Sequence, residues 1–96
     1  MDASHVASWN YNVVDFFRKY HKNINLLHLS DASVRKQHLP FGKGKLPFKE
    51  LFKEIKKSKY KGTVIFEIFN FPKGTPQEEI QKDINKSITM FRKIVL

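Results

Sequence analysis

The chain has 96 residues, carries 18 Lys and Arg against 9 Asp and Glu, and is 41% hydrophobic with 9 phenylalanines, which suits one small domain with an intended core. It has no cysteine, so disulfides and thiolate metal sites are excluded and a reducing cytoplasm is the expected compartment. The opening residues lack a secretory pattern and no apolar run approaches the ~20 residues of a membrane helix, so no membrane partner is expected.

The net charge of +9 favours anionic partners. Only Arg18, Arg35 and Arg92 are arginines, however, and lysines such as Lys53, Lys56, Lys57, Lys59 and Lys61 spread along helical stretches. That distribution reads as an ordinary solvated surface rather than a dedicated nucleic-acid face.

In chain order, "DASH" (residues 2–5) places Asp2 and His5 just before a helix over Asn12–Tyr20. In that helix Val13, Phe16, Phe17 and Tyr20 recur at amphipathic spacing. Ile24–Leu29 reads as a short buried strand, and Ser30–Pro47 as a long polar loop with Gly42 and Gly44. Phe48, Leu51, Phe52 and Ile55 mark a second helix, and the β-branched and aromatic stretch Thr63–Phe69 a second strand. Thr75 is the expected N-cap of a last helix, with Pro76 at its first position and Glu78 completing a capping box. Ile80, Ile84, Ile88 and Phe91 line one face of it.

This order of helix, strand, loop, helix, strand, helix implies an α/β fold of βα units with two parallel strands and three helices. Two strands cannot cover three apolar helix faces, and their open edges invite pairing. The expectation is therefore a piece of a larger sheet, completed by another polypeptide or by copies of itself.

Parallel α/β sheets place their sites at the carboxyl ends of the strands. His28 and Asp31 follow one strand, Glu67 interrupts the end of the other, and Asp2 and His5 fall where a preceding strand would end. If the strands are neighbours, these groups converge, and their donors suit Zn, Mn, Fe, Mg or Co. Glu67 is the most telling, because an unpaired buried carboxylate costs several kcal/mol. Asp31 suits a turn cap, His38 lies in the loop, and Gly42-Lys43-Gly44 reads as a flexible turn. No Walker loop, dinucleotide fingerprint or nucleophile elbow is present.

Taken in order, "DASH", "LLHLSDA", "HLPFGKGKLPF" and "VIFEI" resemble the last part of the xylose isomerase-like barrel superfamily, which includes sugar epimerases and isomerases and endonuclease IV (AP endonuclease family 2). The resemblance implies the C-terminal βα units of a (β/α)8 TIM barrel over residues 1–96, an incomplete barrel, with a divalent metal (Mn, Co, Mg or Zn) at its carboxyl face. It implies Asp2, His28 and Glu67 as metal ligands, Glu67 also as an acid-base carboxylate, and His5 and His38 as substrate contacts or additional ligands. The substrate implied is a sugar or sugar phosphate. The partner glutamate of the acid-base pair belongs to the part of the barrel not represented here, so the chain alone is expected to be inactive. In the nuclease branch a zinc cluster acts on abasic DNA, and Lys36 stands where that branch carries an Asp. A third expectation is a non-catalytic half-barrel that self-associates or pairs with the missing N-terminal portion.

Overall fold

The computed structural model describes all residues, 1–96. Four helices and two strands follow in the order α1 (Ala3–Ser8), α2 (Val13–Tyr20), a 3-10 turn (His21–Asn23), β1 (Leu26–Leu29), α3 (Phe48–Ser58), β2 (Thr63–Phe66) and α4 (Gln77–Val95). The strands pair in parallel, Leu26 opposite Thr63 and Leu29 opposite Phe66. This is the expected α/β arrangement with one addition, the short helix α1. Both strands are also shorter than expected, and Glu67 lies one residue beyond β2 rather than inside it.

Period-two alternation sorts β1 cleanly. Leu27 and Leu29 are fully buried toward the helices, whereas Leu26 is exposed and His28 half-buried on the opposite face. α2 starts where the Asn12 side chain accepts the Val14 and Asp15 amides at 2.9 and 3.1 Å, and it buries Val13, Val14 and Phe17. α3 buries Leu51, Phe52 and Ile55 and packs against both α2 and α4. Phenylalanines knit the layers together: Phe52 and Phe66 each meet Phe91 of α4 edge-on, at 5.1 and 5.2 Å between ring centroids. Phe41, from the loop, meets Phe52 the same way at 5.0 Å.

The capping box at α4 does not form. The Thr75 hydroxyl donates to the Pro72 carbonyl within a preceding turn, and Pro76 is the N-cap without a side-chain hydrogen bond. Gly74, at φ 86°, bends that turn so that the hydroxyl faces backward rather than over the helix end.

The long loop is ordered, and Asp31 orders it. Its carboxylate is fully buried and accepts four backbone amides: Ala32 at 2.8 Å, Gly42 at 2.8 Å, Gly44 at 3.1 Å and Leu46 at 3.0 Å. Four donors satisfy a buried carboxylate that would otherwise be costly. Both glycines follow from this. Gly42 has φ 98°, and a Cβ on Gly44 would overlap the Ala32 carbonyl and the Asp31 carboxylate. Gly42-Lys43-Gly44 is thus a fitted wrap around an internal anion, not a flexible turn.

The sheet has open sides. β2 pairs only with β1. On the other side of β1, the Met1 amine donates to the Leu26 carbonyl at 2.7 Å, the His28 amide donates to the Met1 carbonyl at 2.8 Å, and Asp2 forms a parallel bridge with His28. Met1 and Asp2 thus lie along β1 on the side opposite β2, in parallel register with it. No helix is long and apolar enough to cross a membrane.

Candidate metal centre

Three chain segments bring the expected residues to the carboxyl ends of the strands. The Glu67 amide donates to the Leu29 carbonyl at 3.0 Å, which keeps the chain in register just past β2. Its carboxylate then reaches across to β1, where Oε1 lies 2.5 Å from His28 Nδ1. Asp2 sits level with His28 through the parallel bridge and caps α1, its Oδ1 accepting the His5 amide at 3.1 Å. Its second oxygen, Oδ2, is 3.5 Å from His5 Nδ1.

His38 arrives from the loop with a left-handed backbone, φ 59°. That conformation is uncommon for a side chain with a Cβ, and here it is held on every side. The His38 amide donates to Ser4 Oγ at 3.1 Å, and its carbonyl accepts the Phe69 and Asn70 amides at 3.1 and 3.0 Å. Its ring stacks on Phe69 at 4.4 Å and meets His5 edge-on at 5.4 Å. His38 Nδ1 lies 3.2 Å from the Glu67 carbonyl oxygen and 3.8 Å from Glu67 Oε2. A histidine expected in a loop is therefore a buried, pinned member of the cluster.

Two triads result, each with one donor atom per residue and all donor atoms within 4.8 Å of one another: Asp2, His28 and Glu67, and Asp2, His5 and His38. Asp2 belongs to both. A cavity of about 380 Å³ opens on Met1, Asp2, His5, Leu26, His28 and Glu67, with no lysine or arginine in its wall. The residues fit a divalent cation. The donors are carboxylate oxygen and imidazole nitrogen, the set that Zn, Mn and Co accept. The close His28–Glu67 contact sets an imidazole nitrogen against a carboxylate oxygen, the two donor types such a cation accepts together.

Two sequence candidates stay outside. Asp31 is consumed by the loop amides. Lys36 is exposed, and it lines a separate cavity of about 520 Å³ with Lys43, Glu79 and Asp83. Two supporting residues were not anticipated: Ser4, which anchors the His38 backbone, and Phe69, which carries its ring. Both sit beside named candidates, but neither residue type announces a role without the fold.

A family model described as "Xylose isomerase-like TIM barrel" matches residues 1–94. No curated protein matches the chain. Among solved structures, a sugar phosphate isomerase/epimerase from Parabacteroides distasonis ATCC 8503 is similar, with a TM-score of 0.72 and 23% identity over 93% of this chain. The match spans 29% of that protein's chain, and at this identity the likeness concerns the fold.

Proposed function

The chain belongs to the xylose isomerase-like TIM barrel family, and from that premise we propose that it is the metal-holding, C-terminal part of a sugar or sugar-phosphate isomerase/epimerase barrel. The observation that carries this reading is the convergence of Asp2, His28 and Glu67, from three segments, to donor separations within 4.8 Å.

In this reading Asp2, His28 and Glu67 hold a divalent cation, which when bound polarises a substrate carbonyl and its neighbouring hydroxyl. Glu67 has a second oxygen, Oε2, turned toward His38 rather than His28. That oxygen is the one positioned to take or return a proton at the carbon beside the carbonyl. His5, the most exposed member of the cluster, and His38, stacked and fixed, orient substrate hydroxyls by hydrogen bonds. An opposing carboxylate is needed for the second half of the proton transfer. The remaining barrel strands supply it, from a separate chain or a longer one, along the open sides of the sheet. The 96-residue chain alone then binds metal but does not turn over.

The test pairs two measurements on the isolated chain. Titration with Mn or Co by calorimetry should show binding that is lost in Glu67→Gln. Ketohexose and ketohexose-phosphate isomerisation with the same metals should stay at background. Failure of the folded chain to bind either metal overturns the reading, and robust turnover overturns the need for completion.

The second triad favours one alternative, a phosphodiesterase related to endonuclease IV with more than one metal ion. A count of two or more zinc ions per chain, with cleavage of an abasic-site duplex, would establish it over the isomerase. Lys36 weighs against it, because it stands where that branch carries an Asp and a lysine cannot replace a carboxylate ligand.

A further inference from the structure

The opposite end of the strands carries a different kind of surface. A pocket of about 540 Å³ opens there, lined by His21, Lys22, Ile24, Asn25, Ser58, Lys59, Tyr60, Lys61 and Gly62. It lies where β1 and β2 begin, since the Thr63 amide donates to the Asn25 carbonyl at 3.1 Å. Three lysines and a histidine line it and no carboxylate does. Glu54, an acid close enough to His21 to feel its charge, is already held by Arg18 at 2.8 Å.

The surrounding charge is equally one-sided. The segments from Val13 to Asn25 and from Phe48 to Gly62 hold Arg18, Lys19, Lys22, Lys49, Lys53, Lys56, Lys57, Lys59 and Lys61 against Asp15, Glu50 and Glu54. α2 and α3 pack side by side, so these cations share one region. Lys53, Lys56, Lys57, Lys59 and Lys61 are all exposed. α3 alone extends over roughly 16 Å at 1.5 Å per residue, more than a single phosphate group could use.

We infer that this end of the molecule is a docking surface for a nucleic-acid phosphate backbone, with Lys22, Lys59 and Lys61 forming its centre. The surface is separate from the metal centre and does not depend on the activity proposed for it. Lys59 and Lys61 are neighbours in the sequence, but Lys22 lies far from them. The fold gathers them, because the 3-10 turn before β1 and the turn before β2 meet at one end of a parallel pair. Lys59 is fixed there by its left-handed backbone, φ 57°, which ends α3 and aims the chain back into the sheet. Backbone recognition of this kind is electrostatic and independent of base sequence.

The experiment measures fluorescence anisotropy of a labelled, mixed-sequence single-stranded DNA of ~16 nucleotides with the full chain, from ~50 to ~200 mM salt. The unsubstituted chain should bind and weaken steeply with salt. The triple variant Lys22→Gln, Lys59→Asn, Lys61→Gln should bind at least ~10-fold more weakly and lose about 2 from the log–log salt slope, as expected for three lost phosphate contacts. A control triple on α4, Lys82→Gln, Lys86→Gln, Lys93→Gln, removes the same charge and should change the slope by less than about 1. Replacing the first three by arginine should retain binding. Acetylation footprinting of the unsubstituted chain needs no variant, and DNA should protect Lys22, Lys59 and Lys61 but not Lys82 or Lys86. Absence of DNA binding at low salt overturns the inference, including the case where vesicles rich in anionic lipid bind instead. An equal loss in the α4 control, or protection centred elsewhere, overturns it as well.

Discussion

His28 and Glu67 join the ends of the two strands: the imidazole Nδ1 and the carboxylate Oε1 are 2.5 Å apart, although β1 and β2 carry neither residue to the other by sequence proximity. The parallel register, His28 opposite Ile65 with Glu67 just past the strand, leaves the glutamate to span the gap. The pair is the pivot of the site, since each partner belongs to the same triad with Asp2.

Removing one member of that triad should disable metal binding without unfolding the chain. Glu67→Gln keeps the size of the side chain and its backbone register, and it should weaken Mn or Co binding by at least ~10-fold in calorimetry while the thermal midpoint shifts little. Binding should also weaken toward acid pH, because carboxylate and imidazole must lose protons to ligate. An affinity that does not change on acidification would exclude these ligands.

Asp31 should matter more to stability than any of the ligands. Asp31→Ala strands four amides, two of them (Ala32 and Leu46) in buried bonds and two (Gly42 and Gly44) in part-buried ones, and unsatisfied buried donors cost about 1–3 kcal/mol each before relaxation. A loss of at least about 3 kcal/mol in urea unfolding is expected.

Gly44→Ala probes the same wrap from the other side. The added methyl meets the Ala32 carbonyl and the Asp31 carboxylate, not the tip of a flexible side chain, so the backbone must move. A cost of about 2 kcal/mol is expected, in the range for overpacking. Gly42→Ala meets no neighbouring atom and should cost less, about 1 kcal/mol for its positive φ.

The contact between α2 and α3 should respond to acid. The hydrogen bond from Arg18 holds the Glu54 carboxyl below the usual carboxylate range. A group with a depressed native pKa stabilises the fold above its unfolded pKa, and that contribution disappears as pH falls through the native value. Thermal midpoints of the unsubstituted chain should therefore drop in acid more than those of Glu54→Gln. The difference should shrink in high salt, because Arg18 is largely exposed.

Association should follow from the exposed side of the sheet. Leu26 and Ile65 stand on that face at 40% and 41% exposure, beside an unpaired β2 edge. Sedimentation should show self-association that Ile65→Glu reduces, and a stable monomer of the unsubstituted chain would refute it.

Much of this arrangement was legible in the sequence because it rests on local patterns. Helical spacing located α2, α3 and α4, a short apolar run located β1, and a β-branched and aromatic run located β2. Glu67 stood out because a carboxylate in an apolar run needs a partner, and the fold supplies His28. The capping box at Thr75 failed because a cap depends on where the chain comes from, and Gly74 sends it in from the wrong side. Asp31 looked like a simple turn cap because its other three amides come from residues 42, 44 and 46, beyond the reach of any local rule. Lys22 joins Lys59 and Lys61 only after two distant turns meet, so the sequence shows a run of helical lysines but not the shared surface.

The stack of His38 on Phe69 has a spectroscopic consequence. Protons on the imidazole lie over the face of a phenyl ring and should resonate upfield of those of His5 and His28, and further upfield than those of His21, whose stack on Phe17 is looser at 5.6 Å. That displaced signal gives a built-in reporter: any ligand that turns or pulls the imidazole off its aromatic shelf will move the line, with no label attached to the chain.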